Sequence, residues 1–165
     1  LELSSAASDV YKRQILSVPV MTKLSHTQAY ARFFEKMTPE TLGSMKQFLA
    51  DDVVFTDPFN TLHGPDAFVA IFTHMYAVMK NPRFDILDVA VSEKAGFIKW
   101  RMTGELRSRP SYQLDLTGMS EVQFNDAGLV TTHFDHWDSA HQLLAKLPVI
   151  GWLVRRLLTL FALPS

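Results

Sequence analysis

Three long runs of residues that alternate between apolar and polar side chains follow one another in the second half of the chain. They cover residues 83–92, 96–107 and 112–124, and a shorter run covers residues 129–137. Turn-forming sequences lie between them, at residues 93–95, 108–110 and 125–128. Period-two alternation places successive side chains on opposite faces of a strand, and short turns join antiparallel neighbours. The pattern therefore predicts a meander of four antiparallel strands.

Three segments with helical spacing of apolar residues precede these strands. The first begins at Ser25, the second covers residues 38–52 and the third covers residues 65–79. A short β-branched and aromatic segment, residues 53–56, predicts one more strand between the second and third helices. This order indicates an α+β domain, in which the helices cover one face of a curved antiparallel sheet and leave a cavity.

The length of 165 residues suits one domain, and the sequence shows no internal repeat or linker. We assign the domain to residues 21–146, with Met21 as the native start. Residues 1–20 are polar and lack an apolar period, so they are interpreted as a non-native or disordered leader. Residues 147–165 are predicted to add a C-terminal amphipathic helix.

The composition excludes several classes of protein. The net charge is −1 and the 16 basic residues are scattered, so the basic face of a nucleic-acid-binding protein is missing. Cysteine is absent, which excludes disulfides, thiolate metal sites and cysteine nucleophiles and is compatible with a cytoplasmic location. Without a glycine-rich phosphate loop, no organic cofactor is expected. No apolar run reaches the roughly 18 residues of a membrane span.

Several features of the sequence resemble ketosteroid isomerases and SnoaL-like proteins of the nuclear transport factor 2-like superfamily. They are the segment Phe48–Phe59 with its Asp57-Pro58 turn, the His63-Gly64 start of the next helix, and the Phe124–Gly128 hairpin before a strand that ends at Trp137. The resemblance covers residues 25–145. It implies a cone-shaped shell of sheet and helices around one pocket for an apolar small molecule.

In the isomerases the aspartate of the Asp-Pro turn is the general base, and the resemblance implies that role for Asp57. The two groups of their oxyanion hole fall on Phe33, one helical turn from Tyr30, and on Ser120. An enolate would therefore lack its two strong hydrogen-bond donors. Ketosteroid isomerase activity is not expected.

The last strand, residues 133–138, is similar to the equivalent strand of the epoxide-hydrolase branch, where an aspartate at the third position activates water. This resemblance implies an acid-base role for Asp135, and polyketide cyclases of the SnoaL type also place an acid-base aspartate on this strand. The branch completes its site with an Arg-x-Asp pair. Arg101 is the nearest equivalent of the arginine, and Thr103 stands in place of the second acid.

Strand alternation places His133, Asp135 and Trp137 on one face. If Trp137 lines the pocket, His133 and Asp135 line it too, opposite Asp57, and the three form a set able to move protons. The predicted pocket wall comprises Trp137, Tyr30, Phe33, Phe55, Phe72, Trp100, Arg101 and Ser120. No metal site is expected, because His133, Asp135 and His136 do not share one strand face.

Two interpretations of these residues remain open. In the first, the chain performs general acid-base catalysis on an apolar, oxygenated small molecule by isomerisation, cyclisation or hydration, with Asp57 and Asp135 exchanging protons and His133 orienting them. In the second, Asp57 caps its turn, His133 and Asp135 form a mutually satisfied buried pair, and the chain is a non-catalytic binding or accessory protein.

The segment 147–163 is almost wholly apolar apart from Arg155, Arg156 and Thr159, which cluster on a helical wheel. Three arrangements are compatible with this pattern. The helix can pack on its own domain, join two copies in a homodimer, or bind a membrane surface with Trp152 at the headgroup level. The last arrangement would place a cytoplasmic protein at the inner face of the membrane.

Overall fold

The computed structural model describes the backbone of residues 18–163 and the side chains of residues 22–108 and 112–163. Its α-helices are α1 (Val18–Lys36), α2 (Pro65–Val78), α3 (Ser139–Gln142) and α4 (Ile150–Leu158). The strands are β1 (Leu49–Thr56), β2 (Thr61–His63), β3 (Met79–Val91), β4 (Gly96–Leu106), β5 (Arg109–Phe124) and β6 (Val130–Trp137). Two 3-10 helices cover Leu42–Phe48 and Leu144–Lys146.

The six strands of the described residues form one open sheet in the order β2-β1-β6-β5-β4-β3. Strands β3 to β6 are successive antiparallel neighbours, as the alternating runs predict. β1 lies parallel to β6, with Val54 opposite Thr132. The α+β class is therefore confirmed, but the prediction of a wholly antiparallel sheet is wrong at this pair. A parallel pair needs a long connection, and here α2 and four strands lie between β1 and β6 along the chain.

The second predicted helix is shorter than expected. Its central part is the 3-10 helix Leu42–Phe48, and residues 49–52 belong to β1. Within β1, two buried residues are followed by the exposed pair Asp51 and Asp52, and the register against β6 shifts at this point. Such a bulge interrupts period-two alternation, so the sequence pattern did not indicate a strand here.

Other boundaries also differ from the predictions. α1 begins at Val18, so residues 18–20 of the predicted leader are helical, and residues 1–17 lie outside the described residues. The segment Thr61–His63, predicted as a turn, pairs with β1 as the short strand β2.

β3 begins four residues earlier than the predicted run 83–92 and includes the Asn81-Pro82 sequence. Asn81 has a φ of 48°, and the register against β4 shifts between Lys80 and Arg83. A bulge is one of the places where a strand tolerates proline. The strand therefore continues through Pro82.

The two long helices pack on one face of the sheet, and aromatic side chains from both layers form the core between them. The core includes Tyr30 and Phe34 of α1, Phe68 and Phe72 of α2, and Phe55 of β1. α1 lies directly against the start of β4, because a Cβ atom at Gly96 would come within 2.2 Å of the Thr27 hydroxyl oxygen. The core forms one end of the space between helices and sheet, and the candidate site occupies the other.

Beyond β6 the chain follows the edge of β5. The Gln142 side chain accepts a hydrogen bond from the N–H of Thr117 (2.6 Å) and donates one to its carbonyl oxygen (2.9 Å), so it extends the pairing that β6 leaves incomplete. The predicted amphipathic helix follows as α4. Among the described residues, no helix is both long enough and apolar enough to cross a bilayer.

Candidate functional site

A cavity of about 160 Å³ lies between α2 and the helix-covered face of the sheet. Its wall is apolar except for two carboxylates, Asp57 and Asp135. Engineered apolar cavities of about this volume bind benzene. The space therefore suits one or two rings of a small organic molecule, or part of a larger one.

Asp135 lies on β6 with 16% of its side chain exposed. Its Oδ1 atom accepts two hydrogen bonds, from His133 Nε2 at 2.9 Å and from the Ser120 hydroxyl at 2.5 Å. Its Oδ2 atom makes no hydrogen bond to any described residue. Since Asp135 lines the cavity, this second oxygen is the one left for a bound molecule.

His133 holds the first donor to Asp135 in place. Its side chain is 3% exposed, and four aromatic rings surround the imidazole at centroid distances of 5.2 to 5.7 Å. The Tyr30 hydroxyl lies 2.9 Å from Nδ1. With the hydroxyl donating to Nδ1, the neutral imidazole carries its proton on Nε2 and donates it to Asp135.

Ser120 is the second donor, and its orientation follows from Trp100. The indole N–H of Trp100 lies 2.9 Å from the Ser120 hydroxyl oxygen, and an indole N–H can only donate. The Ser120 proton is then free to point at Asp135. Two chains of donors, Tyr30 to His133 and Trp100 to Ser120, thus end on the same carboxylate oxygen of Asp135.

Tyr30 keeps its proton over a wide pH range. Burial raises the pKa of this phenol well above its ordinary value of 10.0, and the negative charge of Asp135 raises it further. The hydroxyl therefore remains a donor to His133 throughout the neutral range.

A second, smaller space of about 20 Å³ adjoins the cavity and is bordered by Ser120, His133 and Asp135. Asp135 and Trp100 line both spaces. A volume of this size holds one water molecule, provided that polar groups surround it. Both ring nitrogens of His133 are already paired, so the Oδ2 atom of Asp135 and the hydroxyl oxygen of Ser120 are the two groups left to bind such a water molecule.

Asp57 is held by its own turn. Its Oδ1 atom accepts hydrogen bonds from the N–H groups of Phe59 and Asn60, each at 2.7 Å, and the Asn60 amide contacts both carboxylate oxygens at 3.0 and 3.1 Å. These contacts are the ones expected if Asp57 caps its own turn. The side chain nevertheless borders the cavity with Asp135 and Trp137.

The structure brings most of the predicted pocket residues to these two spaces. Phe55, Phe72, Trp100 and Trp137 line the cavity, and Ser120 lines the smaller space. The alternation of β6 is as predicted, because His133 is buried whereas Phe134 and His136 are exposed. His133 borders the smaller space, so the prediction of one common cavity holds for Asp57, Asp135 and Trp137 alone.

Three predicted wall residues lie elsewhere. Tyr30 is fully buried behind His133, and Phe33 packs against Phe34 and Phe48 at centroid distances of 6.0 and 5.2 Å. Arg101 follows the inward-facing Trp100 on β4, so it points to the outer face, where it binds Asp115 at 2.6 and 2.7 Å.

The predictions also missed apolar wall residues. Met102 and Leu116 share the strand parity of Trp100 and Ser120, and Met75 lies near Phe72 on α2 at helical spacing. That periodicity was present in the sequence and could have identified them. Among the described residues, no group of histidines and carboxylates is arranged to hold a metal ion.

Comparison with known proteins agrees with this architecture. Residues 28–133, more than half of the chain, match the SnoaL-like domain. The chain belongs to the SnoaL-like family. No curated protein sequence matches it significantly.

Solved structures of the nuclear transport factor 2-like fold are similar to this SnoaL-like chain. A ketosteroid isomerase-like protein from Catenulispora acidiphila, in complex with trimethylamine, has a TM-score of 0.62 and 14% identity over 73% of this chain and 90% of that one. An LEH-like epoxide hydrolase from Mycobacterium tuberculosis has a TM-score of 0.60 and 14% identity over 86% and 96%.

A third similar structure is a Mycobacterium tuberculosis protein in complex with estradiol-17β-hemisuccinate. Its TM-score is 0.56, with 18% identity over 71% of this chain and 94% of that one. At sequence identities of 14 to 18%, the three similarities show a shared fold and nothing more.

Proposed function

We propose that this SnoaL-like protein is an acid-base catalyst for an apolar, oxygenated small molecule, and that Asp135 is its base. One observation carries the proposal: Asp135 presents an unoccupied oxygen to an apolar cavity while two donor chains hold its other oxygen. An ionised carboxylate in such surroundings can accept a proton from a substrate carbon or from a water molecule.

The surroundings of Asp135 also favour some reactions over others. Phe33 has no polar group, and the Ser120 hydroxyl already donates to Asp135, so neither offers a hydrogen bond to a developing enolate. The one-water space beside Asp135 supplies a nucleophile site for hydration. Of the three candidate reactions these contacts favour hydration, in which Asp135 removes a proton from water; isomerisation and cyclisation through an enolate are the less favoured candidates.

Asp57 is proposed as the second acid-base group. Its Oδ1 atom is occupied by the turn, and its Oδ2 atom has one contact, at 3.1 Å. Thr56 pairs with Phe134 in the parallel register of β1 and β6, so Asp57 lies beside Asp135, not across the cavity from it as the sequence had suggested. To return a proton to the substrate, Asp57 must start each turnover protonated; the turnover leaves it ionised and Asp135 protonated, and a proton then passes back from Asp135 to Asp57. In this scheme His133 positions Asp135 without contacting the substrate.

A non-catalytic binding function is the second candidate. The cavity wall is mainly hydrophobic, and similar structures contain estradiol-17β-hemisuccinate and trimethylamine. A carrier would need the cavity but not the free oxygen of Asp135.

Two assays separate these functions. Binding of 2-tetralone, a two-ring ketone, is measured by tryptophan fluorescence in a Trp152→Phe background, where Trp100 and Trp137, both on the cavity wall, remain. Water activation is measured as hydration of the two-ring epoxide 1,2-epoxy-1,2,3,4-tetrahydronaphthalene to its diol, a reaction that forms no enolate.

Catalysis predicts hydration above the buffer rate that Asp135→Asn abolishes, whereas the exposed control Asp126→Asn keeps it. Binding of 2-tetralone without turnover of a panel of cyclic epoxides and enones would instead favour a carrier.

A further inference from the structure

The C-terminal helix α4 and the turn after it expose an unusual amount of apolar surface. Leu153 and Leu157 are each 52% exposed, Leu160 is 74% exposed and Phe161 is 90% exposed. The three leucines recur at helical spacing and form one stripe. Gly151, Val154 and Leu158 face the rest of the chain and are buried or half-buried. The exposed stripe is therefore a second apolar face, distinct from the one that packs.

The same segment carries positive charge alone. From Ser139 to Ser165 the sequence contains Lys146, Arg155 and Arg156 and no aspartate or glutamate, while the remainder of the chain carries a net negative charge. Arg156 lies beside the leucine stripe on the helical wheel, and Trp152, which is 64% exposed, lies next to Arg156. Arg155 lies on the other side of the helix, where its guanidinium donates to the Ala145 carbonyl. Apolar side chains bordered by a cation and a tryptophan match the boundary between acyl chains and anionic headgroups.

The chain before α4 fixes which way the stripe points. Val149 has a φ of 68° and a ψ of −69°, and the N–H of Ile150 donates to the carbonyl of Pro148 at 2.9 Å, so residues 148–150 form a γ-turn of the rare left-handed type. The Arg155 guanidinium donates to the carbonyl of Ala145. Both features hold α4 in one orientation, with the leucine stripe turned away from the domain.

We propose that residues 150–163 bind an anionic lipid surface, with α4 lying in the plane of the interface. The leucine stripe enters the outer acyl region, and Arg156 beside the stripe contacts lipid phosphates, while Arg155 stays bound to the Ala145 carbonyl. α4 has nine residues and spans only about 14 Å, so it lies on a bilayer of about 30 Å and does not cross it.

Charge also argues against a second copy as the occupant. A two-fold contact through this stripe would bring the same surface of each subunit together. The Arg156 side chains of both copies would then flank one interface without any carboxylate from this segment to neutralise them.

The test uses the full chain and sedimentation with vesicles. One set contains phosphatidylcholine with about 30% phosphatidylglycerol, and the other contains phosphatidylcholine alone. We expect binding to the anionic vesicles, a blue shift of Trp152 emission, and weaker binding when salt rises from about 0.1 to 0.5 M.

Two sets of variants examine the two parts of the surface. The double variant Leu153→Glu, Leu157→Glu should bind at least about tenfold more weakly, since it removes apolar contact and adds negative charge. Leu87→Glu is its matched control, because Leu87 on β3 is 50% exposed and lies outside the segment. Arg156→Gln should reduce both the binding and its salt dependence, and it leaves the contact between Arg155 and the Ala145 carbonyl in place.

Absence of vesicle binding by the wild-type chain would overturn the proposal. So would equal binding to neutral and anionic vesicles, or equal losses in the Leu87→Glu control. A wild-type dimer that the Leu153 and Leu157 changes dissociate, with no lipid binding, would assign the stripe to a second copy instead; analytical ultracentrifugation measures that outcome.

Discussion

Two carboxylates border the main cavity, and the donors around them differ. Asp57 accepts its hydrogen bonds from the backbone and side chain of its own turn, within three residues along the chain. Asp135 accepts its hydrogen bonds from His133 and Ser120, which α1 and β4 orient through Tyr30 and Trp100. The donors to Asp57 therefore stabilise its turn. The donors to Asp135 occupy its Oδ1 atom alone and leave the Oδ2 atom without a hydrogen bond at the cavity that Asp135 lines.

Replacing Asp135 with asparagine should reduce turnover of a substrate by about a hundredfold or more, as the loss of an acid-base group does. The amide oxygen can keep the hydrogen bonds from His133 and Ser120, so the fold should remain. Asp57→Asn should also reduce turnover if Asp57 returns the proton. Steady-state rates and thermal unfolding of both variants provide the measurement, and full activity of Asp135→Asn would exclude it as the base.

Tyr30 gives the stability of the protein a distinctive pH dependence. Its pKa is raised on folding, so its contribution to the free energy of unfolding is complete below about pH 10 and is lost at higher pH, where the unfolded chain releases the proton first. In that range the free energy of unfolding of the wild type should fall more steeply than that of Tyr30→Phe, by up to about 1.4 kcal/mol per pH unit.

Urea titrations of both proteins between about pH 8 and pH 11 measure this difference. If the free energy of unfolding falls equally with pH in both proteins, the pKa of Tyr30 is the same in the folded and the unfolded chain. At neutral pH Tyr30→Phe should cost about 1–3 kcal/mol, because His133 Nδ1 loses its buried donor.

For single residues, the sequence predicted positions best where the prediction used the alternation of side chains along a strand. Alternation along β6 predicted the inward positions of His133 and Asp135. It could not predict that Tyr30 would contact His133, because the two residues are 103 positions apart and meet only when α1 packs on the sheet. The prediction placed Tyr30 in the pocket wall, whereas Tyr30 is buried behind His133.

The pairing of β4 with β5 shapes the cavity wall. Trp100 lies opposite Gly118, and a Cβ atom at Gly118 would come within 2.5 Å of the Trp100 ring and 2.9 Å of the His136 carbonyl oxygen. The absence of a side chain at Gly118 therefore lets the indole reach Ser120. The register of β4 against β5 therefore decides whether the Trp100 indole can reach Ser120, which is one of the two donors to Asp135.

Gly118→Ala should lower the free energy of unfolding by about 1–3 kcal/mol, because the indole has to move in a well-packed layer. It should also weaken ligand binding in the cavity that Trp100 lines. Gly43→Ala is the matched control, since a Cβ atom there meets nothing within 4 Å, and it should be neutral or slightly stabilising. Chemical denaturation of the two variants measures the contrast; equal stabilities would contradict the argument.

The elements themselves were predictable where their period was unbroken. The core of α2 and the strands β4 to β6 follow their patterns closely. The start of β1 and the first residues of β3 did not, because each contains a shift in register, and a bulge is specified by the neighbouring strand rather than by the pattern of one segment. The parallel pairing of β1 with β6 likewise cannot be predicted from the sequence of either strand alone.

At the scale of the whole molecule, the cavity and the C-terminal helix are separate. None of the residues 147–163 lines the main cavity, and Leu147, Pro148 and Ile150 instead cover Leu106 and Tyr112 at the far end of β4 and β5. The division of the chain at residue 146 stays a prediction.

A chain that ends at Lys146 should keep its fold, with a loss of less than about 2 kcal/mol or about 8 °C in Tm. It exposes part of Leu106 and Tyr112 but retains Gln142, whose side chain pairs with Thr117. 2-Tetralone should still bind its cavity, while binding to anionic vesicles should be lost. A chain that ends at Trp137 is the contrasting control, because it also lacks Gln142 and the Asp138 cap of α3 and should be much less stable. Unfolding or loss of ketone binding on truncation at Lys146 would show instead that the C-terminal helix is an integral part of the domain.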